Sequence, residues 1–598
     1  MSDRAVAWWV RGALAVPFVV ALVTLATTHW SPVLDLAMTE LRVRDVLGRH
    51  TPLIGLPGRI GAFPNQGSHP GPLSFYLLAP VYRVLGSTAY ALLVAATVVN
   101  VAAGWIAITL AARRGGRRLI VGVGAVVMVL CAWFGVSVLT QPWNPYLPLV
   151  SFVVVLLATW GVVDGDHVLL VPLVFFASLC AQTHVPYLAL SFALCALAFG
   201  VVVSRWWRAR SLDRAERRSL VMAVGLGAVL WLPVAVDQFR HTPGNITMLR
   251  RHFLSPPEDP VGWSQGLKTV LVHFDVTHIV SGTIGRSGYW VDRLDNLGGG
   301  SWAFGAIILL IWTTAVFVSW RLRDRRIFRL HVVIAAAVVV AVSSAARIFG
   351  KIWYYLTLST WTLAVLAFAA TVWTFIAWWE RSQHRRVPTT RIAVAVLVLA
   401  GVALVQDATT VDPPEARLSR VLTAIVDPTV DALAQGVGAA DGSEGVYAVL
   451  WNDAYYFGSQ GFGLINELER RGFTVRAYDT YRVPVTPQRV TDAAHVTAEV
   501  VLATGVNVAK WRARDGVEEV AFFEPRSFDE LAEFEGLLNE AATQLRAVGL
   551  YDVVDMLTTN LFGARVDPRV PPTVERLLAR MLVLGEETAV FIAPAGTF

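Results

Sequence analysis

Eleven mostly apolar runs, at about 10–30, 88–111, 118–139, 145–163, 167–183, 185–204, 219–236, 301–321, 328–346, 353–379 and 390–407, constrain this chain more than any other feature. A helix crossing a bilayer needs ~20 apolar residues, because the hydrocarbon layer is ~30 Å thick and each residue rises ~1.5 Å. Lipid offers no partner for a bare N–H or C=O, so runs of this length are helices with their backbone bonds made internally. Composition agrees: 55% of the residues are hydrophobic and 16% charged, against roughly 25% charged in an ordinary soluble domain. A disordered chain and a wholly water-soluble enzyme are excluded. The first run is too long, and lacks the small-residue cleavage site, for a removed signal peptide. The three cysteines, Cys131, Cys180 and Cys195, each lie inside an apolar run, so no disulfide framework is expected.

The net charge of +6 hides two unlike parts. Residues 408–598 carry 16 Lys+Arg against 27 Asp+Glu, and residues 1–407 carry 34 against 17. The expected organisation is a transmembrane domain over 1–407 and a soluble domain over 408–598. The arginines collect at Arg113–Arg118, Arg205–Arg218, Arg321–Arg329 and Arg381–Arg391. Eleven spans and a cytoplasmic N-terminus put all four clusters on the cytoplasmic side, as the positive-inside rule requires, and put the C-terminal domain outside. Residues 70–86 are apolar enough to tempt a twelfth span, but Pro80 and Arg83 interrupt them. They fit a helix lying along the outer membrane surface. The stretch 31–87 is then one long external loop, of a length that is usually functional.

Beyond residue 407 the pattern changes. Val446–Trp451, Phe473–Tyr478, Glu499–Ala503, Glu519–Phe523 and Thr588–Ile592 read as strands, with helices at Phe462–Arg471 and near 527–547, 550–560 and 572–584. Strand–helix alternation implies an α/β layer domain. No Gly-rich phosphate loop follows Trp451.

Ionisable groups beside hydrocarbon are costly and tend to be functional. Asp35 stands five residues past Trp30 and the end of the first run. On a helix over 34–47, Leu34, Met38 and Leu41 share an apolar side while Asp35, Thr39 and Arg42 form another stripe. A carboxylate at the lipid–water boundary can have its pKa raised towards that of a general base; a solvated acid favoured by the helix dipole is the competing reading. Arg347 and Lys351 flank Ile348-Phe349-Gly350 in an external loop that continues to Tyr354 and Tyr355. These cations suit a lipid phosphate, or else anchor helix ends at headgroups. Trp143-Asn144-Pro-Tyr146, Gln182-Thr-His184, Asp237-Gln238 and Gly244-Asn245 fall at external ends of runs, where amides, acids and aromatic faces either line a sugar groove or cap helices.

The segment Trp30-Ser-Pro-Val-Leu-Asp35-Leu-Ala-Met-Thr-Glu40-Leu-Arg42, followed by His69-Pro70-Gly-Pro72-Leu-Ser-Phe-Tyr76-Leu-Leu-Ala79, resembles the polytopic glycosyltransferases of the GT-C superfamily. The resemblance covers the membrane part, about two-thirds of the chain. It implies an integral membrane enzyme, a hexosyl- or pentosyltransferase of the inverting kind, that takes a sugar from a polyprenyl-phosphate donor. It implies Asp35 as the base in the first external loop. This chain departs from the family's commonest form, since Leu36 follows Asp35 and the nearest acid is Glu40. Arg347 and Lys351 are the implied donor-phosphate contacts, and His69, Tyr76, Trp143, Asn144, His184, Asp237 and Tyr354 the implied substrate contacts. No His/Cys/Asp cluster has metal-ligand spacing; a divalent cation held by Asp35 and phosphate oxygens is compatible with the resemblance, as some relatives use one. The expected partners are a polyprenyl-phosphate sugar, a glycan or lipid-linked acceptor and membrane lipids, with no nucleic acid. The specific expectation is a cell-envelope arabinosyl- or mannosyltransferase of the actinobacterial type, in a bacterial plasma membrane. A lipid-linked-sugar flippase and a non-catalytic glycan-binding assembly protein are the competing classes. The flippase class predicts charged or broken helices near the midplane and often an inverted repeat; these runs are nearly free of midplane charge and no repeat is evident.

Overall fold

The computed structural model describes residues 2–598 apart from 212, 279, 281–299, 457 and 459. The chain divides into two compact units, one of residues 1–27 and 46–412 and the other of residues 28–45 and 413–598. Residues 28–45 therefore leave the 1–407 part to which their position in sequence assigns them.

The first unit is the membrane part of a multi-pass helical protein. Among the described residues nine helices are long and apolar enough to cross a bilayer: Asp3–Leu25, Ala89–Arg114, Arg117–Phe134, Val185–Ala209, Arg214–Arg240, Trp302–Arg321, Arg325–Ala346, Leu358–Gln383 and Thr389–Thr409. The fourth and fifth runs form the shorter helices Pro148–Val163 and His167–Thr183. Pro148 opens its helix where a missing N–H costs nothing. That helix is buried on every side from Pro148 to Val162, as an all-apolar helix in the middle of a unit must be. Residues 70–86 hold the helix Leu73–Val84. Its 12 residues reach ~18 Å, short of the ~30 Å hydrocarbon layer. Arg83 near its end donates to the Val46 carbonyl.

The four arginine clusters gather at one end of this unit. Arg113 pairs with Asp166 at 2.6 Å. Asp164 accepts from Arg114 and, at 2.7 Å, from Arg329. His167 and Arg205 both meet Glu216, and Arg381 meets Asp324 at 2.9 Å. The helix that ends at Asp164 begins beside Tyr146, and the one that begins at His167 ends at Thr183, so 143–146 and 182–184 mark the other end.

The second unit contains a six-stranded sheet: β1 Val446–Asn452, β2 Thr474–Tyr478, β3 Val490–Thr491, β4 Ala498–Thr504, β5 Glu518–Phe523 and β6 Thr588–Pro594, in spatial order β3-β2-β1-β4-β6-β5. The first four strands are parallel, with Val449 beside Val500, and β6 runs antiparallel between β4 and β5. The strands expected from alternation are all present; the two-residue β3 and the helix Ala416–Gln435 were not foreseen. Ala448, Leu450, Val501, Trp511 and Phe591 form a core on the sheet.

The helix Leu34–Asp45 belongs to this unit. It is not amphipathic in the expected sense, because it is buried from Leu36 to Val43, Thr39, Glu40 and Arg42 included. Several of its polar groups bond to backbone and to side chains of the same unit. Arg42 donates to the carbonyls of Val483 at 2.8 Å and Pro484 at 2.9 Å. Asn466 on the helix Gly461–Arg470 donates to Ala37 O at 2.8 Å and accepts from Arg44 at 3.0 Å. Arg489 grips Asp45 at 2.8 and 2.9 Å.

Candidate functional site

In the membrane unit the His69 segment is built by a short hairpin. Gly55 N donates to His69 O at 3.0 Å and His69 N to Leu56 O at 2.8 Å. Asn245 locks it: its Oδ1 accepts from Ser68 N at 2.8 Å, and its Nδ2 donates to Ser68 O at 3.0 Å. Asp237 in turn holds Asn245, accepting its N–H at 2.9 Å and meeting His241 Nδ1 at 2.9 Å. Asp237 thus positions the loop that carries His69.

That loop packs on the end of the helix Leu170–Thr183. Gly71 N donates to Gln182 O at 3.1 Å, and any Cβ at Gly71 would collide with the Gln182 side chain. Val185 N donates to His69 Nδ1 at 3.1 Å, which leaves the ring proton on Nε2. Burial pushes the His69 pKa down to about 4, so this imidazole is neutral at physiological pH. The His69 and His184 rings lie 5.0 Å apart.

From His184 a strip of rings continues. Tyr187 and Tyr355 each lie 6.2 Å from it. Tyr355 meets Trp143 at 5.5 Å, and Trp143 meets Tyr146 at 4.6 Å. The Tyr146 and Tyr354 hydroxyls bond at 2.7 Å, and Asn144 is buried next to Trp143 in sequence. On its other side Tyr355 stacks on Trp353 at 6.1 Å. Two cations approach that indole, Lys351 at 5.0 Å and Arg59 at 5.5 Å from the ring centre, a cation–π geometry.

The structure therefore brings together His69, His184, Trp143, Asn144, Tyr354 and Lys351, with Asp237 behind them. Arg347 lies outside this group and donates to the Phe253 carbonyl at 3.2 Å. The Tyr76 hydroxyl is tied to Pro52 O at 2.5 Å.

Asp35 and Glu40 sit in the second unit. Asp35 is half-buried in the first turn of Leu34–Asp45, after Leu34 at φ 51. Its field supports the charge of Arg42, whose pKa burial and Arg489 bring down to about 10. Its field also reaches Glu415, which precedes the helix Ala416–Gln435 at φ 50. Crowding of the carboxyl by protein, and then the Asp35 charge, push Glu415 up, although the residue as a whole stays exposed. The two helix starts are joined by Trp30 Nε1 donating to Pro414 O at 2.7 Å and Ser31 N to Ser419 Oγ at 2.8 Å. Glu40 is fully buried and paired with Arg470, which also bonds Glu467 at 2.9 Å. Among the described residues no three His, Cys, Asp or Glu side chains are grouped to hold a metal ion.

No protein-family model matches the chain, and no curated protein matches it in sequence. Solved structures do align with it. ArnT from Cupriavidus metallidurans bound to undecaprenyl phosphate is 15% identical, with a TM-score of 0.49 over 86% of this chain and 96% of that one. The oligosaccharyltransferase of Archaeoglobus fulgidus in its apo form is 9% identical, with a TM-score of 0.39 over 83% and 70%. The archaeal oligosaccharyltransferase AglB from Archaeoglobus fulgidus, in complex with an inhibitory peptide and a dolichol-phosphate, is 11% identical, with a TM-score of 0.35 over 83% and 69%.

Three residues of the two sites, Arg59, Tyr187 and Glu415, escape sequence reasoning. Arg59 stands alone in a Gly/Pro-rich loop, and Tyr187 reads as an interfacial aromatic. Tyr355 adjoins a residue that was singled out, so only its reach to His184 is new. Glu415 is 380 residues from Asp35, a separation no local pattern bridges.

Proposed function

We propose that the chain is an integral membrane glycosyltransferase of the GT-C kind that uses a polyprenyl-phosphate sugar. Its support is the sequence resemblance together with one observation, the convergence of the His69 motif, His184, Trp143 and Lys351 at the end of the membrane unit away from the arginines. Lys351, with Arg59 in the place expected for Arg347, holds the lipid phosphate. Both stand on Trp353, whose Nε1 is buried without an acceptor and offers a third donor to an anion. Asp35 takes the acceptor hydroxyl's proton as its oxygen attacks the anomeric carbon. The bond from that carbon to the phosphate oxygen breaks, the polyprenyl phosphate leaves with the electron pair, and the configuration inverts. The acceptor is an extracytoplasmic glycan or lipid-linked sugar, and the arabinosyl- or mannosyltransferases of the actinobacterial envelope are the specific class proposed.

The test is turnover by the purified protein of a panel of polyprenyl-phosphate sugars, followed by mass spectrometry. Asp35→Asn keeps the shape and removes the base, so turnover should fall ~10²–10⁴-fold with the donor still bound. Activity of that variant within about threefold of the parent, well short of the general-base range, would remove Asp35 from the mechanism.

A further inference from the structure

The end of Leu170–Thr183 and the turn after it leave four polar atoms with no hydrogen-bond partner: Gln182 Oε1, Thr183 Oγ1, His184 Nδ1 and Tyr187 Oη. All four residues are at most 2% exposed. Folded chains seldom leave a buried polar atom unpaired, because it has lost its water and gained nothing. Four such atoms within six consecutive residues are a concentration that folded chains seldom carry.

The chemistry of a partner for them is constrained from three sides. The four atoms belong to an amide, two hydroxyls and an imidazole, all uncharged or held neutral by burial, and among the described residues no charged side chain bonds to any of them. His69, the ring packed on His184, has its Nδ1 taken by Val185 N and is neutral. An amine or a carboxylate placed here would lose its hydration and find no counter-charge. A hydroxyl, donor and acceptor at once, fits each of the four. The group is joined through Tyr355 to Trp353 and its two cations, so a molecule with an anionic end at Trp353 would carry its neutral end along the Tyr355 face.

Building on the transferase function above, we propose that residues 182–187 form the subsite for the hydroxyl groups of the donor's sugar. The subsite selects uncharged sugars over those bearing an amine or a carboxylate.

The experiment measures dissociation constants of the full-length protein in detergent for citronellyl phosphate alone and for the same lipid phosphate carrying mannose, arabinose, glucosamine or glucuronic acid. A neutral sugar should tighten binding about tenfold over the bare lipid phosphate, as expected of two or three net hydrogen bonds, and the charged sugars should add nothing. Tyr187→Phe and His184→Leu should each remove most of the neutral-sugar gain and leave the bare phosphate constant unchanged. Tyr187→Phe should also melt no lower than the parent, because its hydroxyl has no partner to lose; a merely structural role would lower the melting temperature and shift both constants together. A gain that survives in both variants, or a charged sugar bound as tightly as a neutral one, would overturn the subsite while the donor function stands. Failure of the parent to bind citronellyl phosphate would overturn the donor function and the subsite with it.

Discussion

Glu40 and Glu586 are both buried acids of the second unit, and their surroundings treat them oppositely. Glu40 has the Arg470 guanidinium against it. Glu586 is pushed up to about 8, chiefly by burial, against the pull of Arg526 and with smaller pushes from Asp453, Glu587 and Glu524. The folded state therefore keeps a proton on Glu586 that the unfolded state releases from pH 4.5 upward. Stability contributed by this group is present at low pH and is lost as pH rises towards about 8, where the folded group ionises too. Glu586→Gln mimics the protonated acid. It should leave the melting temperature of the purified protein unchanged near pH 4.5 and raise it by several degrees at pH 8, as read by thermal unfolding across that range. A parent and variant that melt in parallel over the whole range would show that Glu586 is charged in the folded protein.

At the scale of elements, the hairpin around His69 and the end of Leu170–Thr183 approach so closely that only glycine fits at position 71. Gly71→Ala should cost ~1–3 kcal/mol by overpacking. The atoms in the way belong to the Gln182 side chain rather than to backbone, so Gln182→Ser should recover most of that loss. Thermal unfolding of the two single variants and the double variant measures the coupling, and additive effects would mean the contact bears no strain. Elements were the most legible part of this sequence. Length and uniform apolarity fixed the spans, and β1, β4 and β6 follow from unbroken apolar runs between turn residues. The site was legible where a motif sat at a span end, as with His69, Trp143 and His184, because helix ends on one face must come together. It was illegible where partners come from far along the chain. Arg347 looked equivalent to Lys351, but its backbone places it on Phe253 O. Glu40 was read only as the acid nearest Asp35, and its ion pair with Arg470, 430 residues away, left no local signal.

At the scale of the molecule, the gathering of four arginine clusters at one end of the membrane unit supports the proposed orientation, with that end cytoplasmic. A cysteine placed at Ser443, which is exposed in the second unit, should react with an impermeant thiol reagent in sealed cells, and one placed at Gly115 should not. Labelling at Gly115 would invert the scheme and place His69, His184 and Lys351 on the cytoplasmic side.

The assignment of residues 28–45 to the second unit has a consequence for how the protein is made. The ribosome delivers this helix early, then about 370 residues of the other unit before the first of its partners. At ~5–20 residues per second that is a wait of roughly 20–70 s. Throughout it the helix lacks the packing of Gly461–Arg470, and Glu40 and Arg42 lack Arg470 and the Val483 and Pro484 carbonyls. The nascent segment is thus a natural client for a chaperone on the side to which it emerges. A chain truncated after residue 412 would leave the helix permanently without the residues that complete its surroundings.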